Sequence, residues 1–115
     1  MKEFMFIYKG MDPQWAANAT AAERQAVMAK WTTWLGKLGE KGQLVTGGAP
    51  LEPGGKRVKK DGVVTDIAAS ELKELVSGYS IIKAESYDHA VAIANECPIF
   101  RMETAIVEVR TVAAM

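Results

Sequence analysis

One cysteine, one histidine and no net charge are the scarcities that bound this 115-residue chain. The single thiol, Cys97, excludes an internal disulfide and predicts a reducing, cytoplasmic setting. One Cys and one His cannot hold a zinc-type ion without several added carboxylates, so no metal site is expected. Fourteen basic residues balance fourteen acidic ones, which removes any electrostatic drive toward nucleic acid or anionic lipid. No apolar run approaches the ~18 residues of a membrane span. The opening MKEFMFIYKG has too short an apolar run for a secretory signal, and no small-residue cleavage pattern follows it. Neither a dinucleotide-binding glycine pattern nor a phosphate-binding loop is present, so no cofactor is expected. Repeats and low-complexity tracts are absent.

What is present suits one domain over residues 1–115, with 49% apolar and 24% charged residues. A chain of this size buries about 65% of its unfolded surface, enough for one core. Phe4 to Tyr8 reads as a buried strand closed by Gly10, and Met11 to Ala19 as a loop containing Pro13 and Trp15. Thr20 and Glu23 match a capping box, and Val27, Met28, Trp31, Trp34, Leu35 and Leu38 then recur at helical spacing. Gly42 stands where a left-handed cap is expected. Leu44 to Thr46 is a second strand, ended by Gly47, Gly48 and Pro50. Asp61-Gly62 predicts a two-residue hairpin turn between Lys56–Lys60 and Val63–Thr65, the lysines guarding a sheet edge. Ser70 predicts a single-turn helix through Leu75, with Gly78 ending it, and Tyr79 to Ala84 a buried strand. Ser86 caps a second long helix with Tyr87, Ala90, Val91, Ala94 and Cys97 inward, stopped by Pro98, and Thr104 to Val112 reads as the last strand.

The order is β-α-β, a hairpin, a small helix, then β-α-β, which predicts an α+β ferredoxin-like sandwich around an antiparallel sheet. Two helices cover one sheet face. Nothing in the sequence covers the other, so a homodimer with face-to-face sheets is expected.

The segments FMFIYKG (from Phe4), LGEKGQLVTGGAPLEP (from Leu38), KKDGVVTD (from Lys59), SGYSIIKAESYDHAVAIANECP (from Ser77) and VEVRTV (from Val107) together resemble the YCII-related family, and more closely its DGPF-domain branch. The resemblance implies a ferredoxin-like subunit and a dimer of the α/β-barrel type. The Asp-Gly-Pro-Phe motif falls at Asp66-Ile67-Ala68-Ala69, so Asp66 alone is kept, followed by Lys73 and Glu74. Smaller members of the family carry a histidine in the first long helix, proposed to work with an aspartate; the matching turn here holds Trp31. Some relatives lie beside extracytoplasmic-function sigma factors, and a few act on chlorinated or hydroxylated rings.

Six residues are candidates for a site. Tyr8, ending the first strand, has a hydroxyl able to donate to an oxyanion, and Asp66, ending the hairpin, has a carboxylate able to take a proton. Trp31 and Trp34 offer an aromatic wall for a planar ligand, against the simpler reading of core packing. Gly47 and Gly48 offer a backbone anion nest, against the better reading of a plain turn. His89 reads as a surface helix residue. Cys97 reads as core, because a helix C-terminus disfavours thiolate. Glu108 and Arg110 read as a structural pair, across the dimer or with Arg101 and Glu103.

Two functions of different classes follow. The first is a small-molecule-binding dimer, a lyase or isomerase acting on a ring compound or lactone through Tyr8 and Asp66. The second is a non-catalytic regulatory or partner-binding protein, for which the missing helix histidine and the altered DGPF segment speak.

Overall fold

Strict alternation organises the centre of the molecule. In the computed structural model, which describes residues 1–67 and 75–115, β1 (Lys2–Lys9) buries Phe4, Phe6 and Tyr8 and leaves Met5, Ile7 and Lys9 half-buried. β5 (Val76–Ala84) does the same with Gly78, Ser80, Ile82 and Ala84 against Ser77, Tyr79, Ile81 and Lys83. With a side-chain period of two, each strand presents one face to the core and one to the outside. The two strands pair antiparallel, Phe6 opposite Ser80 and Tyr8 opposite Gly78. β6 (Ile106–Thr111) pairs with the other edge of β1, and β2 (Leu44–Thr46) with β5. The sheet order is β2-β5-β1-β6 with antiparallel neighbours.

Helix α2 (Ala21–Glu40) connects β1 to β2, and α3 (Tyr87–Asn95) connects β5 to β6. This interleaving of two βαβ units is the ferredoxin-like α+β arrangement. Both ends of α2 are built as the sequence implies. Thr20 Oγ1 accepts from the Glu23 N–H at 3.1 Å and the Glu23 carboxylate from the Thr20 N–H at 3.4 Å. At the other end Gly42 takes φ +69°, Gly42 N–H donates to Gly39 O and Gln43 N–H to Leu38 O, the two bonds of a Schellman cap. Ser86 Oγ caps α3 by accepting from the His89 N–H. Trp34 and Leu38 from α2, and Ala90, Ile93, Ala94 and Cys97 from α3 and its end, close over Phe4, Phe6, Tyr8, Ile82 and Ala84.

Several expectations are corrected. The segment after β1 is not all loop: Pro13–Asn18 is a short helix, α1, whose Asp12 accepts from the Gln14 N–H and whose Pro13 sits in the first turn. Asp-Pro is itself a helix-start signal. The turn at Asp61-Gly62 is a three-residue loop. Lys59 N–H donates to Val63 O, Gly62 alone has positive φ (+85°), and Asp61 stays in ordinary backbone while accepting from the Val63 N–H. A type I turn followed by a left-handed glycine spares Asp61 the cost of positive φ. The hairpin, β3 (Lys56–Val58) and β4 (Val64–Asp66), forms its own two-stranded sheet, in which the lysine-bearing β3 is an edge strand as expected. Gly78 ends no helix; it lies inside β5, where a side chain would meet the Ala49 carbonyl at 3.0 Å. The helix expected from Ser70 falls outside the described residues. Met28, Tyr87 and Val91, expected inward, are exposed, while Ile93 and Ile99 are buried. Both helices cross the sheet so that a narrower stripe than the full apolar set meets it.

The radius of gyration is 15.6 Å, against about 13 Å for a compact chain of this length. The chain leading into the hairpin is anchored by Leu51 N–H to Ser77 O and the Pro50–Gly78 bridge, and Val58 and Val64 lie open on the hairpin.

Two glycines with opposite surroundings give a test. Gly48 has φ +71° and a Cβ there would overlap the Tyr79 carbonyl oxygen. Gly48→Ala should therefore lower unfolding stability by more than ~2 kcal/mol, left-handed strain and overlap acting together. Gly36 lies exposed within α2 with nothing within 4 Å of a Cβ, so Gly36→Ala should raise stability by about 0.5–1 kcal/mol. Urea midpoints of the two variants measure both, and equal signs would contradict the backbone described.

Candidate functional site

A serine in the apolar alternation of β5 needs partners, because a buried hydroxyl without them costs about 1–3 kcal/mol. Ser80 is fully buried. It accepts from the Tyr8 hydroxyl at 2.9 Å and donates to Gly47 O at 2.9 Å. Tyr8 and Ser80 share the inward face of neighbouring strands, one pleat apart, which sets the phenol diagonally over the serine. Gly78 lies opposite Tyr8; a Cβ there would make ordinary contact with Tyr8 Cδ2 at 3.7 Å, and the tight neighbour is the Ala49 carbonyl at 3.0 Å. Three elements thus meet at one hydroxyl chain: β1, β5 and the loop after β2.

Aromatic rings cap this chain. Trp31 meets Tyr8 edge-on with centroids 5.2 Å apart, and Trp34 meets Trp31 edge-on at 5.8 Å. Trp34 in turn stacks on Phe6 at 6.4 Å. Edge-to-face and offset pairs are the favoured geometries of such rings. Trp31 is half-buried whereas Trp34 is buried, so the two indoles expected as one wall differ: Trp31 faces outward past Tyr8, and Trp34 belongs to the core. Trp34 Nε1 is buried without an acceptor among the described residues.

Burial sets the protonation of the site. It pushes the Tyr8 phenol well above its usual range, outweighing the support Ser80 gives the phenolate. The buried Cys97 thiol, held near the Tyr8 hydroxyl and the Ile99 backbone, is pushed up to about 11, again chiefly by burial. At neutral pH Tyr8 is a hydrogen-bond donor and not a base, and Cys97 is a packed thiol and not a nucleophile.

The remaining candidates lie apart from this chain. Asp66 is exposed at the end of β4 and paired with Lys56 across the hairpin; no hydrogen bond or ion pair among the described residues links it to Tyr8. Gly47 lends its carbonyl to Ser80, and the Gly48 N–H donates to Thr46 Oγ1 at 3.1 Å, so the pair's polar groups are used within a turn. His89 accepts at Nδ1 from the Glu85 N–H at 3.0 Å, and its Nε2 lies 3.4 Å from the Gln43 side-chain amide. The neutral ring then carries its proton on Nε2, which calls for Gln43 to present its oxygen. Glu108 pairs with Lys9 at 2.7 Å on the outer sheet face.

Sequence reasoning passed over Ser80, and took Arg101 only as a structural partner for Glu108 and Arg110. Ser80 was detectable as the polar residue at an inward position of an apolar strand. Arg101 closes a 3-10 turn, Pro98–Arg101, that follows Cys97, and its guanidinium lies 4.2 Å from the Trp15 ring centroid. Surface clefts are formed among the described residues. One of about 460 Å³ is lined by Leu51, Arg57, Ile67 and Val76 beside the hairpin, and one of about 270 Å³ by Asp12, Trp15, Asn18 and Glu23. Neither is lined by Tyr8, Trp31 or Trp34.

The YCII-related domain is matched over residues 4–115, which takes in all of the sheet but Lys2 and Glu3, the helices above it and the hydroxyl chain between them. The chain belongs to the YCII-related family. Curated proteins yield no match to it. In this YCII-related protein the polar centre under the first long helix is the Tyr8–Ser80 pair, with Trp31 above it. The stretch after Asp66 that carries Ala68, Ala69, Lys73 and Glu74 lies outside the described residues.

Burial of the two acidic groups fixes the alkaline behaviour. Folding favours neutral Cys97, so its contribution is whole below the free-thiol value of 9.0 and is lost as pH rises from there toward about 11. Tyr8 adds a loss of the same sign above 10.0. Urea midpoints should fall as pH is raised through this window, and Cys97→Ala should remove the part of the fall that begins near pH 9. An unchanged pH profile in that variant would show that Cys97 is not protected by burial.

Proposed function

We propose that this protein is a homodimeric binder of a small ring compound bearing oxygen, working in the cytoplasm. The observation that carries the reading is the closed hydroxyl chain from Tyr8 through Ser80 to Gly47, covered by the half-buried Trp31. Trp31 offers a flat apolar surface, and swinging its edge aside would bring a ring ligand against Tyr8. The phenol stays protonated and can donate to a carbonyl or hydroxyl oxygen of that ligand. Its role is to bind and polarise. The lyase or isomerase reading would add a base; Asp66, held by Lys56 on an exposed hairpin, is poorly supported in that role. The run from Lys59 to Asp66 is what supports a DGPF-like branch with an altered motif.

The dimer of the α/β-barrel type is supported by the outer sheet face. Met5 lies opposite Ile81, and Ile7 opposite Tyr79; Ile106 and Val45 extend this apolar centre on the flanking strands. Glu3, Lys9, Lys83, Glu108 and Arg110 rim it with charges of both signs. A second copy of the sheet, packed at ~10 Å, would cover that face. Sedimentation should show a dimer for the native chain and a monomer for Ile81→Lys; a native monomer at micromolar concentration would sink the dimer.

Ligand binding is tested by thermal-shift measurement with phenol, benzyl alcohol and a simple lactone. A ligand at a hundredfold excess over its dissociation constant stabilises by about 2.7 kcal/mol, several degrees in a domain of this size. The shift should vanish in Trp31→Ala and shrink in Tyr8→Phe. A flat response to all three probes would move the reading to a partner-binding protein.

A further inference from the structure

The main sheet ends differently on its two sides. β2 closes one side with three residues in an irregular register, and β6 closes the other with six in unbroken register with β1. Among the described residues no strand lies beyond β6. A long regular edge is a template for another strand, and natural edges are commonly blunted by shortness, bulges or lysines. β6 uses none of these devices. Its exposed charges are Glu108 and Arg110, one of each sign and two positions apart on the outer sheet face.

Backbone direction fixes what that edge offers. Val112 N–H donates to Glu3 O, so the even-numbered backbone groups face β1. Alternation along an antiparallel strand then turns the N–H and C=O of Val107, Val109 and Thr111 away from the sheet. Thr111 shows that direction directly: its N–H donates to the Tyr87 hydroxyl at 3.1 Å. A side chain, and not a strand, finishes the edge at that position. Tyr87 is exposed, its ring edge-on to Phe4 at 5.0 Å.

Antiparallel pairing of β6 with the same strand of a second copy admits few registers. Residues of like face must meet, so the two-fold axis passes through a residue and not between two. An axis at Glu108 sets glutamate against glutamate, and one at Arg110 sets arginine against arginine. An axis at Val107 sets Glu108 against Ile106. An axis at Val109 sets Glu108 against Arg110 of the second copy, twice over, and Ile106 against Val112, both exposed apolar residues. In that register Val109 exchanges N–H and C=O bonds with its counterpart. Glu108 and Arg110 fall at the non-hydrogen-bonded positions, where side chains approach most closely. Lys9, already 2.7 Å from Glu108 on the neighbouring strand, extends the row of alternating charge. Charge, apolar matching and backbone direction select one register.

We propose that the outer edge of β6 is a self-pairing surface that joins two copies of this chain into one continuous sheet about Val109. Tyr87 is its guard. The Val107 carbonyl of the second copy takes the place of the Tyr87 hydroxyl on the Thr111 N–H, so the phenol swings aside as the copies join. This surface is separate from the sheet face and does not rest on the ring-binding reading.

A contact of one strand pair is of the small, transient class, with a dissociation constant of roughly 0.1–1 mM. It forms above the micromolar range in which the sheet-face dimer is tested, and Ile81→Lys, which removes that dimer, isolates it. Sedimentation equilibrium of Ile81→Lys should show monomer passing to dimer as concentration rises through that range, less so at high salt. In this background Arg110→Glu and Glu108→Arg each set like charges against each other and should each weaken association about tenfold. An equimolar mixture of the two restores opposite pairs and should recover it. Tyr87→Phe removes the guarding hydroxyl and should strengthen it several-fold. Amide exchange at Val109 should slow as concentration rises. Should Glu108→Arg fail to fold beside Lys9, Val109→Pro takes its place, because it removes an N–H that faces away from β1; it should abolish association. Monomer throughout the range overturns the proposal. Association that survives Arg110→Glu or Val109→Pro undiminished, folded single variants whose mixture recovers nothing, or Val109 exchange indifferent to concentration overturns it as well. The two assemblies fail separately: a native monomer at micromolar concentration sinks the sheet-face dimer and leaves the edge pairing to its own series.

Discussion

The register between β1 and β5 governs the rest of the molecule. It places Phe4, Phe6 and Tyr8 beside Ile82, Ser80 and Gly78 on one face, and all six are buried there. A slip of one residue would turn Phe4, Phe6 and Tyr8 outward and bring Met5, Ile7 and Lys9 under the helices. Lys9 would then be buried away from Glu108, its present ion-pair partner, and a buried unpaired charge is among the most costly defects a core can carry. The apolar pattern and the charge pattern therefore select the same register.

That register also creates a polar problem in the core and its solution. Ser80 is fully buried, so its hydroxyl needs partners within the protein. Tyr8 supplies the donor and Gly47 the acceptor. Gly47 is close enough because the loop after β2 turns tightly at Gly48, whose positive φ brings the chain against the Tyr79 carbonyl. The glycine pair is thus explained by backbone approach to β5. The same burial that makes the chain of hydroxyls necessary keeps Tyr8 and Cys97 protonated.

Asymmetry is the other consequence of a two-layer build. Helices α2 and α3 cover one sheet face, while Met5, Ile7, Tyr79 and Ile81 lie half-buried on the other. The hairpin adds open apolar surface at Val58 and Val64. Among the described residues, a half-buried apolar sheet face and the exposed Val58 and Val64 of a separate hairpin leave apolar surface outside the core. That surface supports assembly, and the charged rim around the sheet face would orient it.

Local signals were readable from residues alone because their partners lie within one turn or one pleat. Thr20 with Glu23, Gly42 after α2, Ser86 before α3 and the alternation of β1 all act over a few positions, and each stands where the residue types require. Asp12-Pro13 carried the same kind of signal for α1, yet the neighbouring Trp15 read as loop. What tertiary structure alone decided were contacts between distant segments. Tyr8 and Ser80 are 72 residues apart, and nothing near either one names the other. The stripe of α2 was visible, but which of its residues meet the sheet depended on how the helix crosses it; hence Trp34 is core, Trp31 is a rim and Met28 is solvent-facing. Arg101 reaching Trp15 has the same origin, since the turn after Cys97 meets α1 through the closure of the fold. Periodicity and caps are written in adjacent residues, whereas register, crossing and closure arise when segments compete for one core.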